Sequence, residues 1–438
     1  MFKRQRQRKV KRYQNIYRGS IFASPFFKLA AALGCLAFFV AVGWLMYEPA
    51  YQFIMGLGSE PGGEESSSQT SGTAESSVPE GNGGFLGLWG DGETSSESSS
   101  QPEEVEQAAL HAAYMPENIL MDPSLRSAFI QDCAAKGING IFFDLKNDKG
   151  VVTYRSGLSQ VTELGSMSAS AVDLSTVVEE MRSAGIRPVG RIYAFKDPLA
   201  SSANLSAAVQ YSGSEWAWLD NSADLGGKTW LNPLSDYARQ YITDLSVEAT
   251  GVGVEEILLD TVHFPVGYSV ELASYGRTVT EAEKSAELAA FLNQAEQQVT
   301  AAGGSLSVYL SAPNLLDSSG SKYGSDPYQL TVCPVVLGVM PASFGNVYNS
   351  SELVLESPVQ SPYRTVQSAL EIILPRLKTE KVSVLLQGYT AGNLNALNNK
   401  TYTAADVEEQ IRAAEESGIN SCLLYSPAGD YSILSEIQ

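Results

Sequence analysis

The chain has 438 residues, 44% of them apolar, and a formal net charge of −20. That is enough apolar material for a sizeable core. So acidic a balance argues against nucleic acid or an acidic wall polymer as partner, and a neutral sugar polymer fits better.

Charge and hydropathy are uneven along the chain. Residues 1–28 hold nine Lys/Arg and no acid, and Leu29 to Met46 are eighteen residues without a charge. At about 1.5 Å per residue such a helix spans about 27 Å, the thickness of a bilayer core. Trp44 and Tyr47 stand where interfacial aromatics belong, and the basic cluster from Lys3 to Arg18 would stay cytoplasmic. The expectation is a single-pass membrane helix over 29–47, N-terminus inside, with everything beyond it extracytoplasmic. A cleaved signal peptide is the competitor, but its apolar region is ordinarily shorter and ends in a small-residue cleavage site.

Ser59 to Glu106 is rich in Ser, Glu, Gly, Thr and Pro, with eleven acids and no Lys or Arg. Such composition cannot offset its ordering entropy, so 48–110 reads as a disordered, self-repelling tether. Only Phe85-Leu86-Gly87-Leu88-Trp89 interrupts it. The residues after the tether carry a net charge of −17.

Four cysteines are present without CxxC spacing: Cys35 in the apolar helix, Cys133 in a predicted helix, Cys333 and Cys422 in or beside apolar runs. Buried unpaired thiols are the expectation, with one disulfide the alternative. With only His111 and His263 in the chain, no zinc site is expected. No metal or other cofactor is implied, since Asp-rich calcium loops and Walker-type motifs are absent.

From residue 115 to 438, short apolar runs alternate with segments of helical period, the pattern of parallel β/α units. The predicted strands are Gly140 to Asp144, Arg187 to Tyr193, Trp216 to Leu219, Ile257 to Asp260, Leu306 to Leu310, Val335 to Met340, Val382 to Leu386 and Ser421 to Tyr425. Helices are predicted over Pro123 to Lys136, Leu174 to Ala184, Pro233 to Thr250, Glu281 to Ala302, Thr365 to Leu377 and Ala404 to Ser417. Asp173 and Thr403 (with Asp406) are candidate N-caps, and Gly185, Gly303 and Gly418 mark helix ends. Eight strands over some 320 residues suit a (β/α)8 TIM barrel. An open doubly wound sheet is the alternative, but no glycine-rich phosphate loop follows the first strand.

In a barrel the strand ends converge on one mouth. Asp144 and Lys146 follow one strand, Arg191 and Tyr193 end the next, and Asp260, Tyr309, Gln387 and Tyr425 end others. Glycoside hydrolysis needs two carboxyls facing one bond, some 5 to 10 Å apart. Asp260 and Asp144 are the expected pair, unless Asp144 is tied to Lys146. Glu256 stands at the start of its strand, the face associated with stability. A Ser-His-Asp triad has no support, because His111 is expected outside the barrel and no Gly-x-Ser-x-Gly elbow occurs.

The segment from Trp230-Leu231-Asn232-Pro233 through Glu255-Glu256-Ile257-Leu258-Leu259-Asp260-Thr261-Val262-His263-Phe264-Pro265 resembles the putative glycoside hydrolase domain family, predicted TIM-barrel proteins of the bacterial envelope. Asn139 to Tyr154, Ile186 to Pro198 and Leu385 to Tyr431 extend the resemblance. It implies a sugar site using Arg191, Tyr193, Lys196, Asp197, Trp230, Asn232 and Gln387; His263 beside Asp260 and the strand-end Tyr309 and Tyr425 are further expected substrate contacts. Trp230 and Asn232 equally suit a structural turn into a helix beginning at Pro233.

The chain departs from the family pattern in the mouth itself. Thr261 replaces an aromatic and His263 an arginine, so a permanent cation is lost near Asp260. Met340-Pro341-Ala342-Ser343-Phe344 lacks a tyrosine and a histidine, Gly388 replaces an acid, and Leu424-Tyr425-Ser426 stands for Leu-Trp-Asn. The readings that follow are a membrane-tethered hydrolase of an envelope polysaccharide, a catalytically silent glycan-binding protein, and a structural envelope protein.

Overall fold

The structure is a computed structural model that describes residues 109–436 apart from 318–321, 393, 396 and 397. The expected cytoplasmic tail (1–28), membrane helix (29–47) and nearly all of the tether (48–110) lie outside the described residues. Among the described residues no helix is long and apolar enough to cross a membrane.

Eight strands close into a parallel barrel: β1 His111–Met115, β2 Gly140–Lys146, β3 Arg187–Tyr193, β4 Glu256–Asp260, β5 Ser305–Ser311, β6 Val335–Gly338, β7 Val382–Gln387 and β8 Cys422–Tyr425. Each pairs in parallel with its sequence neighbours, and Ala112 of β1 against Leu423 of β8 closes the ring. The open-sheet alternative is thereby excluded. Six longer helices pack outside: α1 Pro123–Ala135, α2 Leu174–Ser183, α3 Asp236–Val252, α4 Glu281–Ala301, α5 Pro362–Ile373 and α6 Ala404–Glu416. The described part of the β5 to β6 connection has only a five-residue helix and a 3-10 turn.

The strands are apolar on both faces, as a parallel sheet covered by helices requires. Phe142, Val189, Leu258, Val336, Leu385 and Leu423 fill the barrel interior, while Ile141, Phe143, Ile257, Leu259, Val308 and Leu337 meet the helices. Room inside is tight. A Cβ at Gly338 would stand 2.3 Å from the Tyr309 hydroxyl, so this glycine makes space for that phenol.

Local signals set the helix ends. The Asp173 carboxylate accepts from the Thr176 amide, the Asp406 carboxylate accepts from the Thr403 amide, and Gly185, Gly303 and Gly418 take positive φ just beyond their helices.

Three expectations need correction. Trp216 to Leu219 is not a barrel strand: it belongs to a small hairpin in the loop between β3 and α3, where Gln210 bridges Ala217. The barrel's first strand is instead His111–Met115, so the domain starts before residue 115 and His111 is in the barrel. Helix α3 begins at Asp236, capped by Ser235, and not at Pro233. Cys133, Cys333 and Cys422 are buried and unpaired.

Candidate active site

Strand register brings the polar residues together at the C-terminal mouth. Asp144 on β2 lies beside Arg191 on β3, and Tyr193 on β3 beside Asp260 on β4. Since successive residues of a strand face opposite sides, Arg191 and Tyr193 share the interior face. A bulge between Asp144 and Lys146 then parts their side chains.

Asp144 and Lys146 accordingly do not pair. Lys146 is fully buried and bonds Asp197 at 2.8 Å, while Lys196 reaches Asp148 at 3.0 Å. Asp144 takes donors on both oxygens, Arg191 Nε at 2.5 Å on Oδ1 and the Tyr114 hydroxyl at 2.9 Å on Oδ2.

The same guanidinium reaches Asp260, with Arg191 Nη1 3.9 Å from Oδ2. One guanidinium thus contacts both carboxyls, the kind of close carboxyl pair, roughly 5 to 10 Å apart, that glycoside hydrolysis uses. Arg191 is stacked by aromatic rings, 4.8 Å from the centroids of Tyr114 and Tyr193 and 5.8 Å from those of Phe142 and Tyr425. Burial works against its charge, but the carboxylates of Asp144, which also bonds it, and Asp260 hold it firmly protonated.

Asp260 differs from Asp144 in its partners. The Thr261 hydroxyl donates to its Oδ1 at 3.2 Å, and the Thr261 backbone N–H also bears on it. Burial pushes its carboxyl above the usual aspartate range; Arg191 and Thr261 oppose the shift and Asp144 adds to it. One acid of the pair is therefore driven toward its protonated form, as a proton donor needs. Around it Tyr193 and Tyr309 are raised by burial, so both phenols stay protonated.

Other predicted contacts are used internally. The Gln387 amide is fully buried, accepting from Ala342 N and donating to the Tyr389 carbonyl, both at 2.8 Å. Trp230 Nε1 donates to Asp220 at 3.0 Å, and Asn232 accepts from Leu234 N and donates to the Tyr275 carbonyl. These three brace loops over the mouth, with both ends of each amide engaged.

His263 does not stand in for a cation at Asp260. Its Nδ1 lies 2.7 Å from the Phe264 carbonyl, which can only accept, so Nδ1 carries the proton. Its ring lies between Trp230 and Tyr323, and burial lowers its pKa to about 4. The cation serving Asp260 is Arg191. Glu256 is at the opposite, N-terminal end of β4, where the Ser307 hydroxyl donates to it at 2.6 Å.

Tyr114 went unnoticed in the sequence, although it completes the hold on Asp144 and packs 4.9 Å from Tyr425. It sits on β1, whose alanine-rich sequence carries little strand signal. Tyr323, on the β5 to β6 connection, whose hydroxyl is kept protonated by burial and by the nearby Asp260 carboxylate, and Tyr389, 6.1 Å from Tyr425, were missed because loops carry no period.

A family model described as a putative glycosyl hydrolase domain matches residues 112–431, from the first barrel strand to just past the last. Among solved structures, the PgaB (BpsB) glycoside hydrolase domain from Bordetella bronchiseptica aligns at a TM-score of 0.52 and 12% identity over 73% of this chain and 94% of that one, a likeness of fold. A hypothetical protein from Ruminiclostridium thermocellum ATCC 27405 shares 26% identity over 45% of this chain and 96% of its own, at a TM-score of 0.39. No curated protein matches.

Proposed function

The chain belongs to the family of putative glycosyl hydrolase domains, and from that premise we propose that its barrel cleaves a neutral polysaccharide of the cell envelope, with Asp260 and Asp144 as the working carboxyls. The observation that carries this reading is one guanidinium shared by two carboxyls at the mouth, with burial holding Asp260 toward its neutral form.

In this reaction Asp260 gives its proton to the glycosidic oxygen as the anomeric C–O bond breaks. Asp144 faces the electron-poor anomeric carbon. It either takes the proton of a water that attacks that carbon, or attacks it directly to form a glycosyl ester, which a water deprotonated by Asp260 then cleaves, freeing Asp144. Arg191 and Tyr114 fix its orientation, and the tyrosine rings of the mouth offer flat apolar faces to the sugar. The products are a new reducing end and a free hydroxyl.

The proposal extends to location: an N-terminal helix over 29–47 would anchor the domain outside the membrane on the acidic tether. Protease applied to intact protoplasts should then cut within 59–106 and release the folded domain; a domain protected until lysis would refute this topology.

One observation favours a second reading. Both oxygens of Asp144 are already bonded within the protein, which suits a silent binding site as well as a pre-set base. Purified full-length protein incubated with peptide-free peptidoglycan strands and soluble neutral polysaccharides separates the two. Release of reducing ends supports hydrolysis, and retention of a polysaccharide without release supports binding alone.

A further inference from the structure

Outside the mouth, the loop between β3 and α3 builds an apolar groove around a tryptophan that the proposed chemistry does not use. Trp216 is 79% exposed, whereas Trp218, two residues on, is fully buried. Extended backbone sends alternate side chains to opposite faces, so the hairpin turns one indole in and the other out.

The hairpin is firmly tied. Tyr211 N–H donates to the Trp216 carbonyl at 2.9 Å, Trp218 N–H to the Val209 carbonyl at 2.8 Å, and Trp218 Nε1 to the Ser269 carbonyl at 3.0 Å. The groove beside Trp216 has a volume of about 820 Å³ and is lined by Leu205, Tyr211 and Leu219, with Ser202, Ser214 and Glu215 as polar neighbours.

Two facts select its occupant. The first is charge: residues 209–228 carry Glu215, Asp220 and Asp224 against the single Lys228, which suits neither an anionic membrane surface nor an acidic polymer. An open indole face with hydroxyl and carboxylate groups beside it suits a sugar ring, apolar on its faces and polar at its edge. The second is continuity with the mouth. Val209 N–H donates to the Trp230 carbonyl, and the Trp230 ring packs on His263, three residues beyond Asp260.

We propose that the Trp216 groove is a second glycan-binding site, holding a neutral linear polysaccharide beyond the segment that occupies the mouth. This rests on the reading of the mouth as a glycan site, but not on hydrolysis there.

The test is binding of the full-length protein to soluble chitin oligomers, β-glucan and glucomannan, for wild type, Trp216→Ala and Trp216→Tyr. Wild type should bind at least one, and Trp216→Ala should weaken that binding about 5- to 10-fold, the worth of one stacked aromatic face. Trp216→Tyr should restore most of it. Because Trp216 is exposed, the alanine variant should melt as wild type does.

Unaltered binding by Trp216→Ala, or no binding by wild type, overturns the proposal. So does Trp216-dependent binding to phosphatidylcholine vesicles in place of glycan, which would make the groove a membrane contact. If Trp216→Ala weakens binding while no polysaccharide is ever cleaved, the groove stands and the hydrolase reading falls; if cleavage depends on Asp260 but binding ignores Trp216, the groove falls alone.

Discussion

Thr261, the residue after Asp260, has φ 57, in the left-handed region that β-branched residues rarely enter. That conformation accompanies a hydroxyl set 3.2 Å from the carboxyl it follows. Thr261→Gly removes both strain and hydroxyl. It should change stability by no more than about 1 kcal/mol in either direction, since relief of strain and glycine's added entropy oppose each other. Loss of the hydroxyl should push the Asp260 carboxyl further up and move the alkaline limb of the pH–rate profile upward, while Thr261→Ser should keep the wild-type profile. A limb that stays put in the glycine variant would separate Thr261 from the acid.

Asp260 also makes stability depend on pH. Its carboxyl is raised in the fold by burial, so its contribution is fully present below the ordinary aspartate range and is lost as pH rises through the raised value. Asp260→Asn should therefore lose less stability than wild type between pH 4 and pH 7 in urea unfolding. Equal losses would contradict the assignment. At this scale the sequence exposed the carboxyl pair through strand-end placement, and register confirms that Asp144, Arg191, Tyr193 and Asp260 meet. It did not expose that Gln387, Trp230 and Asn232 spend their polar groups on the protein's own loops, because Ala342 and Tyr275, which bond the two amides, are backbone partners more than forty residues away, and Asp220, which bonds Trp230, lies in a loop without period.

Among the elements, β2 and the loop after β3 are locked together by Lys146 and Asp197, both fully buried and 2.8 Å apart. Asp197 also caps the helix Pro198–Ala203 through the Ala200 amide. Lys146→Met strands a buried carboxylate and should cost about 3 to 5 kcal/mol, whereas adding Asp197→Asn, which keeps a capping side chain, should recover a large part. A double variant as unstable as the single one would show that the pair is not the source of the loss. All six outer helices were legible from caps and period, four of them to within about a residue, while α3 starts three residues later than expected and α5 is displaced by three to four residues toward the N-terminus. The first strand was not: His111-Ala112-Ala113-Tyr114-Met115 has no β-branched residue, and closure of the barrel on both edges holds it in place. Trp216 to Leu219 erred in the other direction, its aromatic richness serving a loop hairpin.

For the whole molecule, composition alone marked three parts, a basic head with an apolar run, an acidic polar stretch, and a globular region with a net charge of −17. The globular region is the closed barrel, matched by the family over residues 112–431, while the departures from the family pattern concentrate in its mouth. Activity therefore depends on whether the retained pair of carboxyls suffices. Turnover of a bound neutral polysaccharide by wild type and Asp260→Asn decides it: loss of the proton donor should cut the rate at least about 10³-fold while binding survives. Equal rates in the two proteins, or binding with no turnover by wild type, would contradict the account.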